Sequence, residues 1–515
     1  MKGPSEPEGG ALPRRAFLRV TAAGALAAVG CGESVPAAGA GDGGGDLGQD
    51  TLTDAVTPDT ALDGVPLDGA TRDAQDALDA QDATGEFPED AVVVEVGGPD
   101  PLAGLVEVPE AFPLGVMAGD MDATSAVLWT RLATRVPLSL RVLELADDGA
   151  VARVAFDGPV APDADGFTHH AARALRPGRR HRYAFTLRRG GAEVRSPLGR
   201  FRTAPAEDAS APVTFAATSC THQRARPFPT MAHAAARDDL DFFVHAGDMV
   251  YCDGARTYGD YRDKYQENWT SAGLRALFSS VGLYTTWDDH EVDNNYNPET
   301  LDPAQFTAAR MAYFAHRAQR RDPLEPNRLW RSARWGRTLE LFLLDARSER
   351  RPSTRRTPGA QYLSPAQLTW LVEGLSRSPA RFKVIVNSVP IANFPLFFDL
   401  AAQDRWEGYP SQRDALLDCL ATVPGAWFLS GDFHLGCVAR VEPSGPRSML
   451  REVLCGPGGN NPNALWATLV GPQFEFVTPE HNYTVFRLDP ARGSVDLSFV
   501  DSAGRELFRR VYDTP

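Results

Sequence analysis

Apolar positions along the chain change their period near residue 210. Between 105 and 205 they alternate with polar neighbours. Leu138, Leu140 and Val142 form one such row, and Tyr183, Phe185 and Leu187 another. Ala126-Val127-Leu128-Trp129 is a further short apolar run. A period of two is that of a strand with one buried face. Arg188-Arg189-Gly190-Gly191 supplies a turn, and no helical period of similar strength appears. The pattern predicts a small β-sandwich over 105–205, closed by the linker-like Thr203-Ala204-Pro205.

From 211 to 515 the pattern is that of an α/β fold. Strands are predicted at 213–218, 241–246, 283–287, 339–344, 382–386 and 427–429. Helices are predicted at 227–237, 303–319 and 365–377, each opening on a proline, as helix starts often do. Each strand runs into a polar cluster. These are Ser219-Cys220-Thr221-His222, Gly247-Asp248-Met249-Val250-Tyr251, Asp288-Asp289-His290-Glu291, Asp345-Ala346-Arg347, Asn387-Ser388-Val389-Pro390 and Ser430-Gly431-Asp432-Phe433-His434. In an α/β sheet the carboxyl ends of the strands share one rim, where ligand sites form.

Composition changes the picture only before residue 105. The chain has 515 residues and a net charge of -15, but residues 32–100 alone hold 17 acidic side chains against one arginine, Arg72. The part from 101 onward is close to neutral and shows no basic stripe, which leaves a polymeric nucleic acid without support as a partner. Few large apolar residues and high charge predict a disordered acidic tether over 32–104. Val92-Val93-Val94 marks its first expected ordered contact. Ahead of it, Arg14-Arg15-Ala16-Phe17-Leu18-Arg19 precedes a short Ala-rich apolar stretch, and Ala28-Val29-Gly30-Cys31 follows. Residues 1–31 therefore resemble a twin-arginine (Tat) export signal ending in a lipobox, with Cys31 as the lipidated residue. No run of 18 or more apolar residues predicts a spanning helix later in the chain.

The rim chemistry is that of a metal site. Carboxylates delivered by separate strands repel one another unless a cation lies between them. Asp248 and Tyr251, three residues apart just past a strand, can face one ion. Cys220, Tyr251, His434 and Asp248 offer thiolate, phenolate, imidazole and carboxylate, a set suited to a redox-capable transition metal. Asp248, Asp289, Asn387 and Asp432 offer oxygen only, which suits a harder cation. A dinuclear site bridged by Asp248 follows, of the kind that clamps both oxygens in phosphoryl displacement.

Gly247-Asp248-x-x-Tyr251, the run from Trp287-Asp288-Asp289-His290-Glu291 to Asn295, and Gly431-Asp432-x-His434 resemble the PhoD-like alkaline phosphatases. That family lies within the calcineurin-like metallophosphoesterase superfamily. Gly115-Val116-Met117-Ala118-Gly119-Asp120 through Trp129-Thr130-Arg131 resembles the opening of its N-terminal β domain, and Leu175-Arg176-Pro177-Gly178 before Tyr183 resembles a fibronectin-type sandwich. The resemblance implies a four-layer αββα metallophosphoesterase sandwich over 211–515, preceded by a small fibronectin-like β-sandwich. It implies iron(III) on Cys220, Asp248 and Tyr251, with Asp248 as bridge. Asp289 stands in place of the superfamily's asparagine, and Asp432 in place of the first histidine of its last motif, with His434 retained. Loss of a histidine near Ser388-x-Pro390 and gain of aspartates favours Ca2+ over zinc as the second ion.

The expected activity is exported hydrolysis of phosphate mono- or diesters. A hydroxide activated at the dinuclear site attacks phosphorus in line, and His290 protonates the leaving alkoxide as general acid. Arg347 holds a phosphate oxygen, with a pairing to Asp345 or Glu349 as the plainer alternative. Partners are phosphate esters, with the membrane reached only through the lipid anchor of a periplasmic or outer-membrane-anchored monomer. The competing reading is a surface lipoprotein whose β domain binds a partner while the hydrolase domain is vestigial or acts on another bond. Segments 254–270, 391–407 and 456–460 are expected to shape the substrate site as irregular rim loops. Tyr258, Tyr261 and Tyr265 read as packing along a helical face, His245 as a satisfied core histidine, and His169 and His170 as solvated. Cys252, Cys419, Cys437 and Cys455 leave three disulfide pairings, or none.

Overall fold

The computed structural model describes residues 94–95, 100–395 and 404–514. The export signal, Cys31 and nearly all of the acidic segment lie outside the described residues. Among those described, no helix is long and apolar enough to cross a membrane.

Two sheets carry the second part of the chain. In one, Val213–Thr218, Phe242–Ala246 and Leu283–Thr286 run parallel at the centre of nine strands. In the other, Leu339–Leu343, Phe382–Val386, Ala426–Ser430 and Arg451–Leu454 run parallel within seven. Strict alternation decides which way each side chain faces. Phe215 and Ala217, Phe242 and Val244, Leu341 and Leu343, Val384 and Val386 all point into one core between the sheets. Their neighbours Ala216 and Phe243 pack under helices on one outer face, and Phe342 and Ile385 under helices on the other. Each fully buried Phe contributes about 1.5–3 kcal/mol of apolar burial, so both faces of both sheets must be covered. The result is four layers, helix–sheet–sheet–helix.

The facing sheets are stitched together at both ends of their parallel strands. Trp335 packs on Phe242 at 4.6 Å between ring centroids and donates to Tyr284 Oη at 2.9 Å. Nearer the rim, Thr286 Oγ1 donates to Leu344 O at 2.7 Å and Trp287 Nε1 to Asp345 Oδ1 at 2.9 Å. These contacts bring the strand ends of one sheet against those of the other.

The helices form where local signals permit. Ser364 caps Pro365–Arg377 and Asp302 caps Pro303–Ala315, each with proline in the first turn. The segment expected as an irregular loop at 254–270 is instead largely the helix Tyr258–Trp269, opened by a capping box between Thr257 and Asp260. Tyr261 and Tyr265 are buried and Tyr258 packs half-buried against the same core, so the aromatic spacing serves packing as expected. Helices Ala272–Ser280 and Pro410–Leu420 were not anticipated.

The strands of 105–205 are divided between two sheets. Leu138–Leu145, Val151–Val160 and Arg180–Arg189 belong to a separate seven-stranded sheet, with the hairpin turn at Gly190-Gly191. Val116–Gly119, Ala126–Arg131 and Phe167–Ala172 instead extend the nine-stranded sheet, through Gly119 against Leu283. A Cβ on Gly119 would stand 2.1 Å from Ala318 O, so only glycine lets the strand join there. Ahead of the boundary expected at 104, Val94–Glu95, in the run expected to make a first contact, pairs with Val154 and Arg153, and Leu102 is buried against Leu143.

His169 is exposed as expected, with Nε2 3.1 Å from Phe314 O, whereas His170 is half-buried and packs on Phe156. Among the described residues no disulfide forms; Cys220, Cys252, Cys419, Cys437 and Cys455 are all free thiols.

Candidate metal centre

Six strand ends converge on one rim, three from each sheet. The turns that follow them are hydrogen-bonded to one another: Cys220 N donates to Gly247 O, Thr221 N to Asp248 O and Gly431 N to Ser388 O, at 3.2, 2.8 and 2.8 Å. Cys220, Asp248, Asp432 and His434 each take a left-handed backbone, with φ of 58°, 55°, 61° and 50°. For a non-glycine residue this costs on the order of 1 kcal/mol or more, and it aims the side chain across the rim instead of along the strand. Four such residues within one constellation mark a site whose geometry outranks local comfort.

Three groups of ligand atoms result, each drawn together within 4.8 Å: Cys220, Asp248 and His434; Asp248, Asp289 and His290; and Asp288, Asp289 and Asp432. Asp248 and Asp289 each belong to two of them, and Asp248 alone joins the group of Cys220 and His434 to the others, as a bridging residue would. Cys220 Sγ and Tyr251 Oη lie 3.4 and 3.3 Å from the same oxygen, Asp248 Oδ2. Tyr251 Oη is 3.1 Å from His434 Nε2.

Asp248 Oδ1 is buried without a hydrogen-bond partner, and Asp289 Oδ1 has only an ion pair, with Arg347 Nη2 at 3.3 Å. A buried carboxylate oxygen left unpartnered costs free energy unless a cation meets it. Burial, with repulsion from Asp288 and Asp289, pushes the Asp248 carboxyl well up. Burial and Asp248 do the same to the Cys220 thiol and the Tyr251 phenol. Asp432 is also pushed well up by burial. Asp289 alone in this group is held low: Arg347 and His290 outweigh its burial. Burial holds His434 down at about 4, leaving a neutral imidazole free to ligate. The donor set therefore fits cations, which would deprotonate the thiol and phenol and neutralise the crowded carboxylates.

Glu291 explains why an acid follows His290. Its fully buried carboxylate accepts Asp248 N at 3.1 Å, Met249 N at 2.7 Å and Asp288 N at 3.0 Å, with Arg317 Nη2 at 3.6 Å behind it. It ties two strand ends into one fixed spacing.

Two expected residues are placed otherwise. Asn387 spends its amide on its own surroundings: Nδ2 donates to Val389 O and Oδ1 accepts from Trp406 Nε1. Arg347 is fully buried and grips Asp288 through Nε and Nη2, Asp404 through Nη1 and Asp432 through Nη2. Its Nη2 also lies 3.3 Å from Asp289 Oδ1, so the expected grip on phosphate is taken by aspartates: four carboxylates from three segments need an internal cation. The alternative pairing appears only as Arg347 N donating to Asp345 Oδ1.

Sequence reasoning passed over several residues of this site. Asp253 meets His290 Nδ1 with Oδ1 and Oδ2 at 2.8 and 2.9 Å. His222 packs on Tyr251 at 4.4 Å. Asn460 touches both Tyr251 Oη and His434 Nε2. The strand preceding Asp253 ends at Ala246, seven residues earlier, so no strand-end rule reached it. His245 behaves as a core histidine, fully buried with Nε2 3.2 Å from Thr221 Oγ1.

Comparison with known proteins agrees with this geometry. Residues 215–462 match the family model of the PhoD-like phosphatases, and residues 105–205 match the model of the PhoD-like phosphatase N-terminal domain. Alkaline phosphatase D of Bacillus subtilis (strain 168) is 29% identical over an alignment that covers 63% of this chain and 64% of that protein, just under two thirds of its length. Among solved structures, that of PhoD superposes with a TM-score of 0.66 at 23% identity, covering 78% of this chain and 89% of that one. A purple acid phosphatase from yellow lupin (Lupinus luteus) seeds superposes with a TM-score of 0.54 at 13% identity, covering 78% and 73%. Both share the fold.

Proposed function

The chain belongs to the PhoD-like phosphatase family, and from that membership we propose that it is a metal-dependent hydrolase of phosphate mono- or diesters. The observation that carries the reading is Asp248, shared between two groups of ligand atoms and left with an unpartnered buried oxygen. Cys220, Asp248, Tyr251 and His434 would hold iron(III); Asp248, Asp289 and Asp432 would hold a harder ion, Ca2+. When bound, such cations neutralise phosphoryl charge and lower the pKa of water.

The chain's own groups do the rest. Asp253 occupies Nδ1 of His290 and fixes the ring, leaving Nε2 as the nitrogen that gives a proton to the leaving alkoxide. Carboxylates of Asp289, Asp248 and Asp253 favour the protonated imidazole against the cost of its burial. Glu291 holds the Asp248 and Asp288 turns in register so that ligand and acid keep a fixed separation. Arg347 keeps Asp288, Asp289, Asp404 and Asp432 from repelling one another.

The test is an assay of the purified metal-loaded protein on a panel of phosphate mono- and diesters. Hydrolysis of at least one class, lost on chelation and restored by metal, is expected. A metal-loaded protein inert on the whole panel favours the binding-module reading instead. We also propose export by the twin-arginine route and anchoring through lipid on Cys31, on the strength of Arg14-Arg15 and Ala28-Val29-Gly30-Cys31. Cys31→Ser should then release the protein from the membrane fraction; unchanged fractionation contradicts the anchor.

A further inference from the structure

The loop 456–460 was expected to be a rim loop. It runs alongside the turn that bears Cys220: Gly458 N donates to Ser219 O at 2.8 Å, His222 N to Gly459 O at 2.9 Å and Gly459 N to Cys220 O at 3.2 Å. Glycine is what permits this approach. A Cβ on Gly456 would stand 2.8 Å from Ser219 Oγ, and one on Gly458 2.8 Å from Thr218 Oγ1. The loop is thus locked to the rim and ends by delivering Asn460 between two candidate ligands.

Asn460 Nδ2 lies 2.7 Å from Tyr251 Oη and 3.1 Å from His434 Nε2. The orientation of the amide is determined, because Asn461 N donates to its other atom, Oδ1, at 2.7 Å. A backbone N–H can only donate, so Oδ1 must face it and the NH2 must face Tyr251. The residue is held from outside as well: His481 Nε2 is 2.7 Å from Asn460 O, and Asn463 N donates to His434 O at 3.1 Å.

We propose that Asn460 is a positioning residue for the metal at Tyr251: its Nδ2 donates a hydrogen bond to the phenolate oxygen, fixing the ring and setting how strongly that oxygen donates to the cation. The proposal rests on the reading of iron(III) at Cys220, Asp248, Tyr251 and His434. A donor aimed at a ligating oxygen withdraws electron density from it and orients it, and partners of this kind tune metal affinity and redox properties. With an imidazole ligated through Nε2, that lone pair is taken, so the Asn460 proton is left for Tyr251.

The test compares wild-type holoprotein with Asn460→Ala and Asn460→Leu, the second keeping the volume filled without a donor. Metal content and the visible tyrosinate-to-iron(III) absorption band are read on each. In wild type the band is expected together with stoichiometric iron. In both variants the band moves to longer wavelength, since an undonated phenolate gives up an electron more easily, and iron is lost to a chelator roughly tenfold more readily. An unshifted band in a folded, iron-loaded variant overturns the role of Asn460 and leaves the iron reading intact. A wild-type protein without iron overturns that reading, and the proposal with it. If Asn460→Ala fails to fold, Asn460→Leu decides.

Discussion

Asp253 embraces Nδ1 of His290 with both carboxylate oxygens, at 2.8 and 2.9 Å, while also accepting Asn294 N at 2.8 Å. The histidine ring lies 4.0 Å from that of Tyr251 and is almost wholly buried. A ring held on one nitrogen by a carboxylate presents the other in a single orientation. His290→Ala should lower kcat by about 10²–10⁴-fold while metal content stays near normal. Asp253→Asn should lower kcat by a smaller factor and shift the acid limb of the pH–rate profile. Loss of metal in His290→Ala would instead make His290 a ligand, since it also falls in a group with Asp248 and Asp289.

Glu291 and Arg317 form a second pair, fully buried, with the Arg317 guanidinium enclosed by the rings of Tyr265, Trp269 and Tyr313 at 5.1, 4.7 and 4.8 Å. Removing one partner leaves the other as an uncompensated buried charge. Arg317→Met should therefore destabilise the metal-loaded protein by about 3–5 kcal/mol in urea unfolding. A loss below ~1 kcal/mol would mean the backbone donors around Glu291 suffice alone.

Arg347 separates the two roles open to it by experiment. As the internal cation between Asp288, Asp289, Asp404 and Asp432, its replacement by Met should lower Tm most in the metal-free protein, because bound cations supply part of the missing charge. A raised KM with unchanged metal-free Tm would return it to the phosphate-holding role that its place after a strand predicts.

Acid stability is read far from the metal centre, at His181. Burial holds this imidazole at about 4, below its ordinary 6.5, stacked on Phe201 and with Nδ1 3.1 Å from Arg179 O. The unfolded state then binds more protons between pH 4 and 6.5, so stability is present above 6.5 and is lost as pH falls toward 4. One such group contributes a slope of about 1.4 kcal/mol per pH unit within that window. Denaturant unfolding of His181→Phe across pH 7 to 5 should show a shallower fall than wild type. An identical fall assigns the slope to other groups.

The catalytic half of this fold was legible in its sequence because period and chemistry coincide there. Val213–Thr218, Phe382–Val386 and Pro365–Arg377 match their predicted limits, and the polar clusters after each strand meet on one rim. What escaped depends on contacts between distant segments. Gly119 joins Leu283 across the two parts of the chain, so the division of 105–205 between two sheets is invisible to alternation alone. The helix Tyr258–Trp269 was hidden by aromatics and a glycine, although Thr257 and Asp260 form its capping box. Arg347 and Asn387 follow strands as ligands do, yet their partners Asp404 and Trp406 come from a later segment that no local rule connects to them.

Asp248 is the residue proposed to be shared by two cations. Elemental analysis of wild type and Asp248→Asn, each purified without added metal and assayed on phosphate esters, tests this most directly. The prediction is about two metal ions per wild-type chain, one of them iron, with both ions and activity lost in Asp248→Asn. A wild-type protein that hydrolyses phosphate esters without metal, or an Asp248→Asn variant that keeps both ions, would contradict it.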